Sequence, residues 1–416
     1  MSRAATILVT DADRASAVSI IRSLGRKGWR VIASDSNPRS IGFRSRYAHD
    51  RLVYPEPETA PDAFVDTVCR AAVEKQIDLV VPVTDEAIFP LSHARERLEP
   101  VCRLAVDSRT ALEVVTDKAR SLALAQELNV PVPRTRVVAT SEEAREAARD
   151  LEWPIVLKPA VSRLYRPDDR VIEKFSVAYA ENLDSLMERM RPLSGRCKML
   201  LQEYCPGVGE GVELLAHEGR VIAAFQHRRL AEVPLTGGAS AWRESVPLSP
   251  ELYSHASRLV EALRWTGLIM TEFKVGERSL LMEINGRIWN SLPLAILSGV
   301  DFPCRLAEMY LNGPPSTGSG PISDYRIGVR AFHLEFILSW LIKLFLDRRR
   351  YPFLPIPKRR QALSVLWGLL SPRQKLDLTS REDVRPVLAQ WFRIVRKSGR
   401  KLKSALPRDG ARQGRS

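Results

Sequence analysis

The first 115 residues alternate short apolar runs with segments of helical spacing, and this alternation constrains the fold more than any other feature of the chain. Apolar runs at 7–10, 31–34 and 79–83 predict strands, and residues 15–24 and 64–75 predict helices. Strands that alternate with helices of this length form βαβ units, whose neighbouring strands run parallel. No G-x-G-x-x-G follows the first run, so support for a dinucleotide site is weak. We therefore expect an α/β chain that begins with a Rossmann-like domain.

The excess of positive charge lies at one end of the chain. Residues 326–416 hold 22 Lys and Arg against 6 Asp and Glu, a balance of +16, whereas residues 1–325 hold 41 against 43, a balance of −2. A basic appendage on a nearly neutral body is weaker support for nucleic-acid binding than a basic groove would be. We therefore consider a nucleic-acid partner disfavoured.

The cysteines and the N-terminus favour a cytoplasmic protein. The five cysteines are odd in number and form no C-x-x-C, a pattern that favours reduced thiols over disulfides or a zinc ribbon. The first apolar run ends after four residues at Asp11, which is too short for a signal peptide.

A pair of strands near residue 280 brings two glutamates together. Residues 269–275 and 280–287 are apolar strands joined by a turn that contains Gly276. A symmetric loop pairs residues whose numbers sum to 555, so Val275 faces Leu280 and Glu272 faces Glu283. Two like charges facing each other across a sheet are destabilising unless a cation lies between them. Two carboxylates with the amide of Asn285 are oxygen ligands of the kind that Mg²⁺ accepts beside nucleotide phosphates. The alternative is a solvated hairpin, which the apolar flanks argue against.

These residues resemble a known family. The motif E-F-K, followed eleven residues later by E-I-N-x-R, is similar to the metal-binding hairpin of the ATP-grasp ligases of the carbamoyl-phosphate synthetase and D-alanine–D-alanine ligase type. The resemblance covers roughly residues 1–315. It implies that Glu272, Glu283 and Asn285 bind Mg²⁺, with Mn²⁺ as an alternative, and that Arg287 lies beside the reacting phosphoryl group.

The resemblance also implies the residues that bind ATP. Lys118 in T-D-K and Lys158 in V-L-K-P match the two lysines that contact the nucleotide, and Lys158 is expected to act in catalysis with Arg287. The run Gln202-Glu203-Tyr204-Cys205 matches the hinge strand that binds adenine, with the glutamate reading the base edge. Glu210 has the spacing of the residue that holds the ribose hydroxyls. We also predict that three further side chains contact the substrate: Arg228, Arg243 and Ser291.

The expected architecture follows from the resemblance together with the sequence pattern. The fold class is α/β: a Rossmann-like pre-ATP-grasp domain, then two ATP-grasp lobes of α+β type, then a basic helical extension. The predicted boundaries are 1–115 for the first domain, 116–195 for the small lobe or lid, 196–325 for the large lobe, 326–398 for the extension and 399–416 for a disordered tail. The lid segment 160–167 lacks the glycines that many members of the family carry over the phosphates.

The implied activity is the ATP-dependent joining of a carboxylate to an amine through an acyl phosphate. Two alternatives stay open: carboxylation through carboxyphosphate, and a surface-binding protein with a vestigial nucleotide fold. Residues 331–403 combine wide apolar helices with arginine clusters, which suits either packing on the enzyme body or peripheral contact with an anionic membrane. We expect this extension to be dispensable for chemistry, and we leave a homo-oligomer open.

Overall fold

The computed structural model describes residues 3–161, 163–166, 171–174, 177–315, 321–346, 351–371 and 374–405. Three sheets of more than two strands organise the described chain, and their order along the sequence is parallel sheet, lid sheet and large-lobe sheet. This is the α/β architecture that the sequence predicts, followed by two lobes whose sheets are antiparallel except for one parallel pair at the edge of the large lobe.

The N-terminal domain is a parallel sheet covered by helices. Its strand order is β3-β2-β1-β4-β5, and all four pairings are parallel. Runs such as 7–9 are fully buried because helices cover both faces of a parallel sheet. The strand order reverses between β1 and β4, the place where open α/β sheets bind ligands beyond their carboxyl ends. The elements are β1 (Thr6–Val9), α1 (Ala15–Arg26), β2 (Arg30–Asp35), β3 (Asp50–Val53), α2 (Pro61–Glu74), β4 (Leu79–Val81), α3 (Asp85–His93), α4 (Arg95–Leu98), β5 (Arg103–Leu104) and α5 (Arg109–Thr116).

The lid is built on a four-stranded antiparallel sheet of order β10-β7-β11-β6. Asp117 caps the helix that precedes this sheet, Lys118–Glu127, by accepting from the backbone N–H groups of Ala119 and Arg120. The strand 199–203 belongs to this sheet, so the predicted lobe boundary at 196 falls too early. Of the segment 160–167, residues 163–166 form a strand, whereas 162 and 167 lie outside the described residues. The elements are α6 (Lys118–Glu127), β6 (Thr135–Val138), α7 (Ser141–Ala147), β7 (Ile155–Pro159), β8 (Arg163–Arg166), β9 (Val171–Lys174), β10 (Ala178–Ala180), α8 (Leu183–Met190) and β11 (Met199–Glu203).

The large lobe is a seven-stranded sheet of order β16-β15-β12-β13-β14-β17-β18. Glu218 and Gly219, both at positive φ, form the tight turn between β12 and β13. Two strands of this sheet, β17 and β18, come from the predicted extension, so the boundary at 326 divides a single sheet. The elements are β12 (Val208–His217), β13 (Arg220–Val233), β14 (Ala239–Ser245), α9 (Pro250–Ala262), β15 (Gly267–Val275), β16 (Ser279–Asn285), α10 (Leu292–Ser298), α11 (Phe302–Asn312), β17 (Arg330–Phe332), α12 (Leu334–Leu346), α13 (Gln361–Leu370), β18 (Gln374–Leu376) and α14 (Arg385–Ala405).

The C-terminal segment is anchored to the body by two buried ion pairs. Arg22 Nε lies 2.8 Å from Asp383 Oδ2, with both side chains at most 5% exposed. Arg243 pairs with Asp377, again with both side chains buried. Removing one partner of a buried pair leaves an uncompensated charge and costs about 3–5 kcal/mol. The segment beyond 324 therefore packs on the body, because its removal would leave Arg22 and Arg243 unpaired; its dispensability for chemistry stays a prediction.

The end of the chain differs from the expectation in one further respect. Residues 399–405, expected to be disordered, continue helix α14, and residues 406–416 lie outside the described residues. No helix in the described part of the chain combines the length and the apolarity that crossing a bilayer requires.

Candidate functional site

The two glutamates face each other across the β15–β16 hairpin, as the sequence predicts. Glu272 pairs with Glu283, and Met270 pairs with Asn285 on the same face of the sheet. Towards the turn the register shifts by one residue, so that Val275 faces Ser279 and not Leu280. A β-bulge beside the glutamates explains the difference, because one extra residue on β16 moves all later pairs. The prediction for Val275 is wrong, and the prediction for the glutamates is confirmed.

Basic side chains surround the glutamate pair. Arg229 Nη2 lies 2.6 Å from Glu272 Oε2, and Arg229 Nη1 lies 3.1 Å from Glu232 Oε1. Lys118 Nζ lies 3.7 Å from Glu283 Oε1. Burial alone would raise the pKa of Glu283, but Lys118, Arg287 and Lys158 outweigh it and hold that pKa below its ordinary value. Lys118 and Arg229 therefore offset part of the repulsion between the two glutamates.

Two glycines of β12 make room for this charge network. A Cβ atom at Gly209 would lie 3.0 Å from Cδ of Arg229, and one at Gly211 would lie 2.5 Å from Cε1 of His227. Because these glycines lack side chains, the longer side chains of β13 lie across the face of β12. The hairpin glutamates and Arg229 consequently share one face of the large-lobe sheet, which we call the hairpin face.

The lid contributes Lys158 and Gln202 from neighbouring strands. Lys158 Nζ donates to Gln202 Oε1 at 2.7 Å, and Gln202 Nε2 donates to Thr135 Oγ1 at 2.9 Å. Burial lowers the pKa of Lys158 to about 8, although Glu283 opposes that shift. The Lys118 backbone N–H donates to Ala160 O at 2.8 Å, which holds both lysines at the same end of the lid. A partly deprotonated, buried ammonium is poised to gain stability from an anion.

Arg287 lies at the end of the hairpin, against the N-terminal domain. Its Nε lies 3.3 Å from Oδ2 of Asp85, the first residue of α3. A cavity of about 290 Å³, which we call the hairpin cleft, is lined by Lys118, Asp85, Glu283, Asn285 and Arg287. The hairpin cleft is therefore lined by Lys118 and Arg287 together with Glu283 and Asn285, the two metal-ligand candidates of β16.

Gln202 and Glu203, neighbours in the hinge run, lie on opposite faces of the lid sheet. Because side chains alternate along a strand, Gln202 shares the face of Lys158 whereas Glu203 points away. Glu203 Oε1 accepts from the Glu152 backbone N–H at 3.1 Å and lies 3.9 Å from Arg134. Tyr204 and Cys205 follow on the hinge, and the Tyr204 backbone N–H donates to Pro154 O. Gln202, and not Glu203, therefore shares a sheet face with Lys158, and its amide contacts Lys158 and Thr135.

Glu210 and Arg228 lie on the opposite face of the large-lobe sheet from the glutamate pair. Glu210 pairs with Phe273, and its Oε2 accepts from Gln226 Nε2 at 2.6 Å. Arg228 Nη2 lies 2.6 Å from Glu244 Oε2. This geometry does not support a ribose contact for Glu210 or a substrate contact for Arg228, because the period of two places them away from the hairpin face.

Arg243 and Ser291 are interior residues. Arg243 is fully buried and pairs with Asp377, and Ser291 Oγ donates to Glu213 Oε1 at 2.9 Å. His227 Nδ1 lies 3.0 Å from the same Glu213 oxygen. The structure contradicts the expectation that Arg243 and Ser291 contact the substrate, since neither side chain reaches solvent.

Sequence reasoning missed Asp85 and the partners of Arg229. The run His227-Arg228-Arg229 predicts a substrate or phosphate contact, whereas in the structure Arg229 pairs with Glu272 and Glu232. The register of β13 could have predicted this pairing, because a residue on the hairpin face next to two glutamates is expected to be basic. Asp85 carried no sequence signal, since its contact with Arg287 joins residues 202 positions apart.

The residues of the hairpin fit a divalent cation bound together with phosphates. Among the described residues, no group of three His, Cys, Asp or Glu side chains is arranged to hold a metal. Glu272 and Glu283 would supply two carboxylates, and Asn285 Nδ2 lies 3.0 Å from Glu272 Oε1, which places the amide beside them. Mg²⁺ is typically held by one or two carboxylates and by the phosphates of the substrate, so this set is sufficient.

Comparison with known proteins identifies the family of this chain. The model of a family described as "ATP-grasp in the biosynthetic pathway with Ter operon" matches residues 196–330. The carbamoyl phosphate synthase large chain of Rubrobacter xylanophilus is 30% identical over 304 residues, which is 71% of this chain and 27% of that protein. This chain belongs to the ATP-grasp superfamily.

Solved structures share the ATP-grasp fold. A biotin carboxylase from Campylobacter jejuni, in complex with β,γ-ATP, matches 79% of this chain and 74% of its own length at 18% identity, with a TM-score of 0.61. An L-amino acid ligase from Bacillus licheniformis matches 75% of each chain at 17% identity, with a TM-score of 0.56. This ATP-grasp chain spans about a quarter of the length of the curated relatives that it matches.

Proposed function

We propose that this protein is an ATP-dependent ligase that joins a carboxylate to an amine through an acyl phosphate, with Mg²⁺ bound at the hairpin. One observation carries the proposal: Glu272 and Glu283 face each other beside Asn285, in a network that includes Lys118 and Arg229. A pair of carboxylates surrounded by basic side chains suits a site that binds a metal ion through the carboxylates and phosphates through the basic groups.

Each basic residue has a role that follows from its position. Lys118 and Lys158, at one end of the lid, would bind the phosphates of ATP and neutralise charge that builds up during transfer. Glu272, Glu283 and Asn285 would hold Mg²⁺, which would neutralise phosphate charge and make the γ-phosphate more electrophilic. Arg287 would orient the carboxylate and stabilise the transferred phosphoryl group, since its guanidinium forms paired hydrogen bonds with planar or tetrahedral oxyanions.

The nucleotide base would lie near the hinge. Gln202 offers an amide to the adenine edge, and the backbone around Tyr204 and Cys205 offers further donors and acceptors. Val156 lies two residues from Lys158 on the same strand face, about 7 Å away at the usual rise of a strand. This separation suits a base and a phosphate bound along a single strand.

A second, larger cavity adjoins the hairpin cleft and has room for an amine substrate. Its volume is about 1130 Å³, and Arg14, Thr84 and Asn290 line both cavities. The carboxyl ends of β1 and β2 supply Asp11 and Asp35 to its wall. Its negative side chains would attract an ammonium group, and its position beyond the switch point of the parallel sheet is typical of ligand sites.

Hydroxylamine trapping tests this proposal. The protein is incubated with ATP, Mg²⁺, hydroxylamine and a library of carboxylic acids, and hydroxamates and ADP are measured. We expect at least one acid to yield a hydroxamate in equal amount to ADP, and we expect Arg287→Ala to abolish both products.

Two results would contradict the proposed ligase activity. ADP that forms only with bicarbonate and yields no hydroxamate with any acid would assign carboxylation through carboxyphosphate instead. No ADP with any acid or with bicarbonate, from a protein that binds Mg²⁺–ATP, would contradict a ligase.

A further inference from the structure

Helix α13 is apolar on both of its sides. Ala362 and Val365 face inwards, where they pack with Ile337 and Trp340 of α12. The opposite side presents four large apolar side chains at positions i, i+3, i+4 and i+7, which form one stripe along the helix. Their exposed fractions are 71% for Leu363, 47% for Leu366, 77% for Trp367 and 80% for Leu370.

The stripe continues onto α12. Ile342 and Phe345, which are 59% and 51% exposed, line a shallow groove together with Leu363 and Leu366. These six side chains (Ile342, Phe345, Leu363, Leu366, Trp367 and Leu370) form what we call the apolar patch. An exposed apolar patch of this extent on a folded protein marks an interaction surface.

The rim of the apolar patch is basic. Lys358, Arg359 and Arg360 are exposed beside it, and the Arg359 guanidinium lies 5.8 Å from the Phe345 ring centre. Between residues 348 and 376 the sequence contains eight Lys and Arg residues and no Asp or Glu. Any surface that covers the patch must therefore be negatively charged around an apolar centre.

We propose that the apolar patch binds the surface of an anionic lipid bilayer. The ten residues of α13 are about 15 Å long, whereas a bilayer core is about 30 Å thick, so the helix lies in the interface and does not cross it. The apolar stripe enters the boundary between headgroups and acyl chains, and the basic rim contacts lipid phosphates. A second copy of this chain is a poorer occupant, because a two-fold contact would place Arg359 and Arg360 beside their own copies without an acidic partner.

Vesicle flotation tests the proposal with the full chain. We expect the protein to float with vesicles of phosphatidylcholine that contain about a third phosphatidylglycerol, and to remain in solution with pure phosphatidylcholine. Raising NaCl from about 0.1 M to about 0.5 M should weaken binding several-fold, since screening shortens the reach of the rim charges.

Two pairs of variants separate the stripe from the rim. The double variant Leu363→Glu/Trp367→Glu should bind anionic vesicles at least tenfold more weakly, whereas Val73→Glu, at a position that is 61% exposed on α2, should bind as the wild type does. Arg359→Ala/Arg360→Ala should also lose binding, whereas Arg70→Ala on α2 should retain it. Because all of these positions are exposed, melting temperatures should stay within a few degrees of the wild type.

Three results would overturn the proposal. The first is a wild type that does not float with anionic vesicles, and the second is a Leu363→Glu/Trp367→Glu protein that floats as well as the wild type. The third is a wild type that forms dimers which this double variant abolishes, a result that would assign the patch to a second copy of the chain.

Discussion

The two faces of the large-lobe sheet carry similar charged residues in different environments. On the hairpin face, Arg229 bridges Glu232 and Glu272, and its side chain is only 9% exposed. On the opposite face its neighbour Arg228 pairs with Glu244, and the Arg228 side chain is 44% exposed. Two adjacent arginines of one strand therefore form ion pairs that differ in burial, and we expect them to differ in their contribution to stability. The comparison teaches that the face of the strand, and not the residue type, decides which charges belong to the site.

Removing the buried arginine should have the largest effect. Arg229→Met leaves the carboxylate of Glu272 without its closest cation, although Glu232 keeps Lys274 at 3.1 Å, so we expect a loss of about 3 kcal/mol in the free energy of unfolding. Arg228→Met should cost less than about 1 kcal/mol, because its pair is solvated and Arg330 still contacts Glu244. Urea denaturation measures both values. Equal losses would contradict the difference between the faces.

Exchanging one glutamate on each face should separate catalysis from surface charge. Glu283→Gln keeps the shape of the side chain but removes an anionic ligand, so we expect ATP turnover to fall at least about a hundredfold, or about 2.7 kcal/mol. Glu210→Gln on the opposite face should change turnover less than about threefold, within the range of surface substitutions. A coupled assay for ADP gives both rates. A Glu283→Gln protein with wild-type turnover would remove the hairpin from the site.

The pKa of Lys158 should appear in the pH profile for ATP. Its folded pKa of about 8 lies below the ordinary value of 10.5, so the ammonium is present below pH 8 and is lost as the pH rises through it. We expect kcat/KM for ATP to decline above about pH 8, by up to about tenfold per pH unit, because this parameter reports the free enzyme. Lys158→Arg keeps its charge and should remove the decline, whereas an unchanged alkaline limb would show that another group titrates.

The smallest effect concerns the hinge. Gln202→Leu removes the amide oxygen that accepts from Lys158 at 2.7 Å, so we expect KM for ATP to rise about tenfold and kcat to fall as well, because the surroundings of Lys158 change. Glu203→Gln, whose side chain points towards Arg134, should leave KM within about twofold. If Glu203→Gln raises KM and Gln202→Leu does not, Glu203 and not Gln202 contacts the nucleotide.

Local sequence patterns predicted more of the fold than of the site. The alternation in residues 1–115 predicted the parallel sheet, and the spacing around Gly276 predicted that Glu272 faces Glu283, because these depend on neighbours in sequence. The pairs Arg243–Asp377 and Arg287–Asp85 join distant residues, so no local pattern could reveal them. The strand period of β12 and β13 predicts that Glu210 and Arg228 lie on the same face, opposite the glutamate pair, whereas a match to a single motif position carries no information about the face.

The C-terminal segment shows the same limit. Its basic composition suggested an appendage, yet Asp377 and Asp383, two of its few acidic residues, make the buried pairs that anchor it. Net charge describes the surface of a segment and says little about which residues hold it in place.

The central claim is that Glu283 and Asn285 hold a metal ion together with ATP, and thermal unfolding tests it most directly. Bound ligand stabilises a protein by RT ln(1 + [L]/Kd), so Mg²⁺–ATP at about 100 times its Kd should add about 2.7 kcal/mol to the wild type and to Glu210→Gln. Glu283→Gln and Asn285→Ala should gain much less from Mg²⁺–ATP at the same concentration, although both should still unfold cooperatively. Equal stabilisation of Glu283→Gln and the wild type by Mg²⁺–ATP would contradict the account.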